Sequence, residues 1–363
     1  MGNIFGYHCD RNQEALLENP SPEANKKLKA HNSSIHYSIK VESSIPNPLR
    51  TNSEEEAKIA AIDEPSNQYE RELKPFIVRS FNLRKNKEDF DHHFNSTVKL
   101  ASALGENPMK NARLLSEIKL LSRNLPVTIS NSIFLVYDDA RMDVMKAAII
   151  GSEDTPYANG IFIFDIYCDE NFPANPPKVN LMTTGLNKIR FNPNLYSNGY
   201  ICLSLLGTWS GDAIEKWTSS SHILQILLSI QAIVMSEGVI YNEPGHQNDG
   251  NTDIGKARNR GYSNIVKLMN IKHAMVGHLK NPISCFKEVI QGHFKYKKEK
   301  ILETCEGWLK EEKEGKDVMY DGLVELHNKD IANKYKGDST KFAGDLMTEI
   351  IDLKKELNKL NLI

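Results

Sequence analysis

The pattern of hydrophobic and polar residues changes at Asn107, where a helix is predicted to begin. Asn107 suits an N-cap because its side chain accepts backbone hydrogen bonds, and Pro108 suits the first turn. Apolar residues then recur at spacings of 4 and 3 and mark one buried stripe: Leu114, Ile118 and Leu121. Pro126 ends this helix, because proline cannot continue it.

Four strand-like runs follow this helix. They are short and rich in β-branched and aromatic residues: residues 132–137, 142–150, 160–167 and 179–183. Residues 172–177 contain three prolines, which fix φ and remove backbone donors, so this segment is predicted to be a rigid loop. A helix followed by an antiparallel meander predicts an α+β fold.

The chain after the strands has a helical pattern. Helices are predicted over residues 222–235, 257–281 and 286–310. The last segment repeats apolar residues at spacings of 4, 3, 4 and 3: Leu346, Ile350, Leu353, Leu357 and Leu360. Such a stripe docks on the body of the protein or pairs with another helix. Two heptads are too few for a coiled coil, so docking is predicted.

The density of apolar residues also divides the chain. Residues 1–75 are rich in Asn, Ser, Glu, Lys and Pro, and their few apolar residues cannot offset the entropy cost of ordering. This segment is therefore predicted to be disordered. Residues 76–106 are predicted to be a lead-in segment that packs on a core of residues 107–248. A helical extension (249–315) and a C-terminal helical segment (316–363) follow.

Composition argues against several classes of function. The 363 residues carry a net charge of −2, which gives no reason to expect nucleic-acid binding. The five cysteines include no C-x-x-C pair, so neither a disulfide framework nor a zinc site is predicted. No nucleotide-binding loop and no His/Cys cluster occurs, so no metal or other cofactor is expected. No signal peptide and no apolar run of about 18 residues is seen, and a cytoplasmic location is expected.

One pattern at the start of the chain relates to membranes. Met1-Gly-Asn-Ile-Phe-Gly6 is similar to an N-myristoylation signal, with Gly6 where Ser or Thr is usual. Cys9 is the candidate for a second acyl chain, since one chain anchors only weakly. The alternative is an ordinary N-terminus. Membrane association is therefore expected only if Gly2 is acylated.

One cysteine lies in a setting that suits acyl transfer. Cys202 follows Asn194 by eight residues, with the turn Tyr196-Ser-Asn-Gly199 between them, which predicts a pinned and partly exposed thiol. A thioester on such a thiol stays reactive enough for an amine to attack it. An Asn amide beside the same carbon can donate to the oxyanion that forms. The alternative is a buried cysteine in a strand.

The order of motifs around Cys202 resembles the ubiquitin-conjugating enzymes. Its parts are an aromatic-Pro-x-x-Pro-Pro segment at 172–177, Asn192-Pro-Asn194 in place of His-Pro-Asn, the acceptor cysteine eight residues later, and Trp217. The match is closest to the large Apollon-type branch, which also has Asn at position 192. The features shared with that branch include Cys202-Leu-Ser204, Glu215-Lys-Trp217 and Asn242-Glu-Pro-Gly245.

The resemblance covers residues 107–308 and implies the fold of that family. We therefore expect an N-terminal helix, a four-stranded antiparallel meander, an active-site loop and C-terminal helices, here with helical extensions. Asn192 is expected to hold the loop by hydrogen bonds to its surroundings, because its side chain offers both a donor and an acceptor.

The resemblance also implies an activity. Cys202 would accept the C-terminal glycyl group of ubiquitin from the ubiquitin-activating enzyme and pass it to a lysine of a protein substrate, or to a ligase. Asn194 would support the oxyanion or the loop, and Glu243, which precedes a proline, would orient the incoming lysine. Two alternatives stay open: an enzyme for another ubiquitin-like modifier, and a non-catalytic ubiquitin-binding variant of the fold.

Two surfaces carry over from the family. The exposed face of the first helix meets the activating enzyme, which implicates Lys110 and Arg113; the alternative for both is a solvated helix face. Ligase docking in the family uses a Phe after the first proline and a Ser-Pro-Ala after the tryptophan. Here Ala174 and Ser219 stand at these positions. Conventional ligase docking is therefore not expected, in agreement with the Apollon-type branch, whose members act as conjugating enzyme and ligase together.

Overall fold

The computed structural model of the protein describes residues 65–83, 92–101, 107–209, 215–314, 317–321 and 323–360. The predicted acylation at Gly2 and Cys9, and most of the segment predicted to be disordered, lie outside these residues. Among the described helices, none is both long enough and apolar enough to cross a membrane.

A five-stranded mixed sheet forms the centre of the fold, with its strands in sequence order. The strands are β1 (Val78–Phe81), β2 (Ile133–Asp138), β3 (Val144–Ile150), β4 (Ile161–Tyr167) and β5 (Lys178–Leu181). β2 to β5 pair antiparallel and confirm the predicted meander. The prediction of four strands is incomplete, because β1 pairs in parallel with β2 and places Val78 opposite Leu135.

α-Helices are the commonest element among the remaining described residues. They are α1 (Pro65–Leu73), α2 (Asn95–Ala101), α3 (Pro108–Asn124), α4 (Ile223–Ser229), α5 (Asp253–Met269), α6 (Gly277–Lys280), α7 (Lys287–Tyr296), α8 (Lys298–Lys313), α9 (Leu323–Tyr335) and α10 (Ser339–Lys359). Two wide π-helical turns interrupt the predicted helices. Ile230–Val234 continues α4, and Asn270–Val276 joins α5 to α6.

Helix α3 begins as its sequence predicts. The Asn107 side chain accepts hydrogen bonds from the amides of Met109 and Lys110 at 3.1 and 3.2 Å. These bonds satisfy two of the amides that the first turn of a helix leaves without partners. Leu114 and Leu121 of the predicted stripe are fully buried, so α3 packs its apolar face on the body of the protein.

Both faces of the sheet are covered, because every residue of β3 and β4 is buried. Helix α3 packs against β1 and α4, whereas the turn Asn270–Val276 contacts β4. His278 of α6 also lies 2.9 Å from the carbonyl oxygen of Ile161 in β4. The helices that follow residue 249 therefore contribute directly to the packing of the sheet.

The C-terminal apolar stripe docks on the body of the protein, as predicted. Four of its residues on α10 are at most 3% exposed: Leu346, Ile350, Leu353 and Leu357. Helix α10 packs on α8 and on the turn Asn270–Val276. Burial of these side chains stabilises the contact through the hydrophobic effect.

The predicted disorder extends too far toward the core. Helix α1 lies inside the range 1–75, yet its residues Tyr69 and Leu73 are buried. The Tyr69 hydroxyl lies 2.9 Å from Nδ1 of His293 on α7. Because this partner is distant in sequence, local composition could not indicate that α1 is ordered.

Candidate active site

The active-site loop, residues 190–202, folds back on β5. The Leu181 amide donates to the Gly199 carbonyl at 2.8 Å. Gly199 has a φ of +86°, and a Cβ there would lie 2.4 Å from the Leu181 carbonyl oxygen, so the turn requires glycine. The turn brings together the two residues on either side of it, Asn194 and Cys202.

Asn192 fixes the loop from a completely buried position. Its amide nitrogen donates to the Tyr157 hydroxyl at 3.0 Å and to the Val234 carbonyl at 2.9 Å. Its amide oxygen accepts from the Asn194 backbone at 2.9 Å and from the Asn242 side chain at 3.3 Å. The two hydrogens and two lone pairs of the side chain are all used. The expectation that Asn192 holds the loop is confirmed.

Asn194 and Cys202 are joined by two hydrogen bonds. The Cys202 amide donates to the Asn194 carbonyl at 2.9 Å. In return, the Asn194 side-chain amide donates to the Cys202 carbonyl, also at 2.9 Å. Asn194 thus contacts the backbone of the cysteine and supports the loop, while its role toward an oxyanion stays a prediction.

Cys202 is buried, with 4% of the residue exposed, so the prediction of a partly exposed thiol is wrong. Thr208 holds the residues on both sides of it. The Thr208 hydroxyl donates to the Ile201 carbonyl at 2.7 Å and accepts from the Leu203 amide at 2.9 Å. Because both neighbours are tied down, the thiol lies within the loop and not at a protruding tip. The sequence analysis did not identify Thr208, since no family motif marks it.

The other described cysteines are poorly suited to acyl transfer. Cys168, Cys285 and Cys305 are at most 2% exposed. Burial raises the pKa of Cys285 and of Cys305 to about 12, and it raises the pKa of Cys168 well above its ordinary value. The thiolate is the nucleophile, so these three thiols are unreactive near neutral pH.

Glu243 follows Asn242, whose side chain donates a hydrogen bond to the amide oxygen of Asn192. Its carboxylate is 23% exposed and lies 3.4 Å from Nε2 of His327 on α9. Burial raises the pKa of Glu243, and the charges of Arg190 and His246 oppose this effect. The structure places Glu243 near the active-site loop, and its role in orienting lysine stays a prediction.

The sequence analysis did not identify the contacts of Arg190, the first residue of the loop. Its guanidinium donates to the Pro193 carbonyl at 2.5 Å and lies 3.8 Å from the centre of the Tyr196 ring. Its backbone carbonyl accepts from the Tyr262 hydroxyl at 2.9 Å and from the Asn328 side chain at 3.0 Å. Tyr262 and Asn328 lie in helices far along the chain, so no local signal marks them.

Lys110 does not stand on an exposed face of α3, which corrects the prediction for this residue. It is 8% exposed, and its Nζ lies 2.7 Å from the Asp143 carboxylate. Burial raises the pKa of Asp143, but hydrogen bonds from Arg141 and Lys110 outweigh this and hold the pKa below its ordinary value. The Lys110 ammonium is therefore committed to a buried ion pair.

Arg113 ties α3 to the segment that precedes α4. Its guanidinium lies 2.7 Å from the Glu117 carboxylate and donates to the Ser219 carbonyl at 2.6 Å. The strongly exposed apolar residues of the same helix are Met109 and Leu115. Contact between Arg113 and an activating enzyme stays a prediction.

The two positions at which ligase docking is not expected, Ala174 and Ser219, are both exposed. Trp217 connects their segments, because its indole nitrogen donates to the Pro173 carbonyl at 2.8 Å. Ser219 is further tied to Arg113 of α3. Small side chains thus stand on both segments of this surface.

Comparison with known proteins identifies the family of this chain. A sequence profile described as "Ubiquitin-conjugating enzyme" matches residues 113–268. The human dual E2 ubiquitin-conjugating enzyme/E3 ubiquitin-protein ligase BIRC6, which represents the Apollon-type branch, is 42% identical over 220 residues. These residues are 60% of this chain and 4% of that protein.

Two further relatives match this chain over a larger share of their own sequences. The probable ubiquitin-conjugating enzyme protein 17 of Caenorhabditis elegans is 41% identical over 235 residues, which are 65% of this chain and 30% of the relative. The putative ubiquitin-conjugating enzyme E2 38 of Arabidopsis thaliana is 36% identical over 287 residues, which are 78% of this chain and 85% of the relative. The chain thus spans a small part of the two animal proteins and most of the plant protein. It belongs to the ubiquitin-conjugating enzyme family.

Proposed function

We propose that this chain carries ubiquitin as a thioester on Cys202 and transfers it to a lysine of a protein substrate. The observation that supports the proposal is the pair of hydrogen bonds between Asn194 and the Cys202 backbone. They hold the thiol in a loop whose motifs are those of the family. The buried thiols elsewhere in the described chain, with their raised pKa values, offer no competing nucleophile.

The proposed reaction consists of two acyl transfers. The Cys202 thiol gives up its proton, and the thiolate attacks the carbonyl carbon of the thioester between ubiquitin and the activating enzyme. A new C–S bond to Cys202 forms, the C–S bond to the activating enzyme breaks, and the departing thiolate takes up a proton. A neutral lysine amine then attacks the new thioester. The C–S bond to Cys202 breaks and an amide bond forms, while the amine loses a proton and the thiol regains one.

Two side chains assist these steps in the proposal. The Asn194 amide donates to the oxyanion that develops on the glycyl carbonyl, and such a donor typically lowers the barrier by about 2.7–4 kcal/mol. The Glu243 carboxylate accepts a hydrogen bond from the incoming lysine and orients it. A carboxylate that is mostly buried does this well, because little water competes for the amine.

The proposed partners are ubiquitin, the ubiquitin-activating enzyme and protein substrates that present lysine. Arg113 on α3 is the proposed contact for the activating enzyme. The human relative is named a dual conjugating enzyme and ligase. We extend that combined activity to this chain, because the small side chains of Ala174 and Ser219 offer little contact surface for a separate ligase. The proposed location is cytoplasmic, with membrane association only if Gly2 is acylated, which intact-mass analysis of the protein from its host tests.

The proposal is tested by charging the protein with activating enzyme, ATP and ubiquitin, followed by gels with and without reductant. We expect a reductant-sensitive adduct, no adduct on Cys202→Ala, and a reductant-resistant ester on Cys202→Ser. Cys305→Ala is the matched control and keeps the adduct, because Cys305 is buried in α8.

Two results would contradict the proposal. An adduct that persists in Cys202→Ala shows that another residue accepts the acyl group. The absence of an adduct with ubiquitin and with every related modifier, each tested with its own activating enzyme, excludes the conjugating activity. A strong preference for one related modifier would identify a different cargo for the same thiol.

A further inference from the structure

Helix α9 holds the first residue of the active-site loop by its backbone. The Arg190 amide donates to Oδ1 of Asn328 at 3.1 Å, and the Arg190 carbonyl accepts from Nδ2 of the same side chain at 3.0 Å. The Asn328 side chain therefore pairs with both backbone groups of Arg190, much as a residue of a neighbouring antiparallel strand does. The Tyr262 hydroxyl of α5 adds a third bond, to the same carbonyl.

The backbone of α9 leaves the helical conformation at this contact. Asn328 has φ −138° and ψ 50° inside the helix and is 3% exposed. A break at this residue gives up regular hydrogen bonding, and the contact with Arg190 accounts for where the break occurs. Irregular backbone of this kind is often retained where a side chain must be aimed.

The preceding residue, His327, faces Glu243. Its side chain is 1% exposed, with Nε2 3.4 Å from the Glu243 carboxylate and the ring packed edge-on against Tyr262 at 5.8 Å. Burial lowers the pKa of His327 to about 3, an effect to which Arg190 adds, so the ring is neutral. Three groups thus face Glu243: Arg190 from the loop, His246 from its own segment and His327 from α9.

We propose that Asn328 and His327 are positioning residues for the proposed ubiquitin transfer. Asn328 fixes the Arg190 end of the loop that carries Asn194 and Cys202, and His327 fixes the direction of the Glu243 carboxylate. Helix α9 then controls transfer to lysine more strongly than charging by the activating enzyme, because Glu243, which His327 orients, acts only on the incoming lysine. This inference rests on the function proposed above.

The first experiment compares Asn328→Ala with Lys329→Ala, an exposed neighbour on the same helix. Single-turnover charging is measured, followed by discharge to lysine and to hydroxylamine, a small nucleophile that is neutral at pH 7. We expect Asn328→Ala to slow discharge to lysine about 10-fold, with charging and discharge to hydroxylamine within about 2-fold of the native protein. Lys329→Ala should behave as the native protein in all three assays.

A second readout does not depend on activity. Loss of the Asn328 contacts should speed hydrogen exchange at the backbone amides of residues 190–202, whereas Lys329→Ala should leave it unchanged. Asn328→Asp keeps the acceptor for the Arg190 amide and loses the donor to the Arg190 carbonyl. Its exchange rates should therefore lie between those of Asn328→Ala and Lys329→Ala. If hydrogen exchange of residues 190–202 is unchanged in Asn328→Ala, the inference is overturned, even if the protein proves not to conjugate ubiquitin. If Asn328→Ala slows charging, discharge to lysine and discharge to hydroxylamine equally, the selective effect on lysine is overturned.

The role of His327 is tested by a double-mutant cycle with Glu243. His327→Phe keeps the ring and removes the nitrogen that faces the carboxylate, so the pH dependence of lysine discharge should shift upward. In a Glu243→Gln background the same change should have no further effect, because His327 acts through Glu243. If His327→Phe slows discharge to lysine equally in the native and the Glu243→Gln backgrounds, the role of His327 is only structural. If Glu243→Gln alone has no effect, the proposed role of Glu243 fails while the test of Asn328 stands.

Discussion

Two anchor points at the start of the active-site loop, Arg190 and Asn192, are held by different parts of the molecule. At Asn192 the partners are Tyr157, Val234 and Asn242, all within the catalytic core. At Arg190 the partners of the backbone are Tyr262 and Asn328, which lie in later helices. The catalytic core therefore provides only one of these two anchor points, and the helices that follow provide the other.

The two anchor points also differ in chemistry. The Asn192 side chain is buried with every hydrogen-bonding position filled, so any replacement leaves groups without partners. The contacts at Arg190 go to its backbone N–H and C=O, and its side chain contacts Pro193 and Tyr196. Side-chain changes at Asn192 should thus be costly, whereas at Arg190 the partners are the sensitive residues.

The largest effect is expected from Asn192→Ala. It removes four buried hydrogen bonds and leaves polar groups of the core unpaired, so the free energy of unfolding should fall by about 3–5 kcal/mol, measured by urea denaturation. Asn198→Ala, on the exposed turn of the same loop, is the control and should cost less than about 1 kcal/mol. Equal losses in the two variants would contradict the unequal anchoring. Asn192→His should be intermediate, because an imidazole offers only two of the four contacts.

Asn194→Ala should reduce the rate more than the stability. If the amide serves an oxyanion, charging and transfer to lysine should both slow about 100-fold, which corresponds to about 2.7 kcal/mol in the barrier. Loss of its one side-chain bond to the Cys202 carbonyl should lower the unfolding free energy by only about 1 kcal/mol. A rate loss no larger than the stability loss would show that Asn194 acts only as a support.

Two buried histidines of the later helices should make the protein less stable in acid. Burial lowers the pKa of His278, which contacts β4, to about 4 and that of His327 to about 3. A lowered pKa means that the folded protein binds a proton less tightly, so stability is complete above pH 6.5 and falls toward pH 4. Each such histidine contributes a slope of up to about 1.4 kcal/mol per pH unit. Urea denaturation between pH 7.5 and 4.5 measures this slope, and His278→Gln should make it shallower; an unchanged slope would rule out His278 as a source.

The smallest effect is expected from Tyr262→Phe. This change removes one of the three hydrogen bonds to the Arg190 backbone and keeps the ring, so stability should fall by about 1 kcal/mol. Discharge to lysine should slow only a few-fold, less than in Asn328→Ala. If Tyr262→Phe slows discharge to lysine more than Asn328→Ala does, Tyr262 and not Asn328 is the more important partner of the Arg190 backbone.

Local signals in the sequence were sufficient for part of the fold. Asn107 and Pro108 mark the start of α3 through capping chemistry, and β2, β3 and β4 are dense apolar runs. The strand β1 was missed because Val78–Phe81 is short and does not alternate, and its partner lies far along the chain. The wide turn Asn270–Val276 was missed because its apolar pattern continues the periodicity of a helix.

The features of the candidate site also divide into those that the sequence marks and those that only the tertiary structure reveals. The spacing of eight residues between Asn194 and Cys202 is visible in the sequence, and the structure shows the two hydrogen bonds behind it. The burial of Lys110 was not visible, because lysine is seldom buried and only its partner Asp143 reveals it. Asn328 could not be identified either, since its role depends on a contact with Arg190 that only the tertiary structure creates.

The parallel strand β1 has a consequence for the newly made chain. Val78 leaves the ribosome well before its partner Leu135, so β1 must wait unpaired while α2 and α3 are synthesised. A shortened protein that begins at Asn107 would lack β1 and leave one side of β2 open. Open strand edges recruit other chains, so such a fragment should aggregate more readily than the full protein. The segment before the catalytic core would then serve to keep the enzyme soluble.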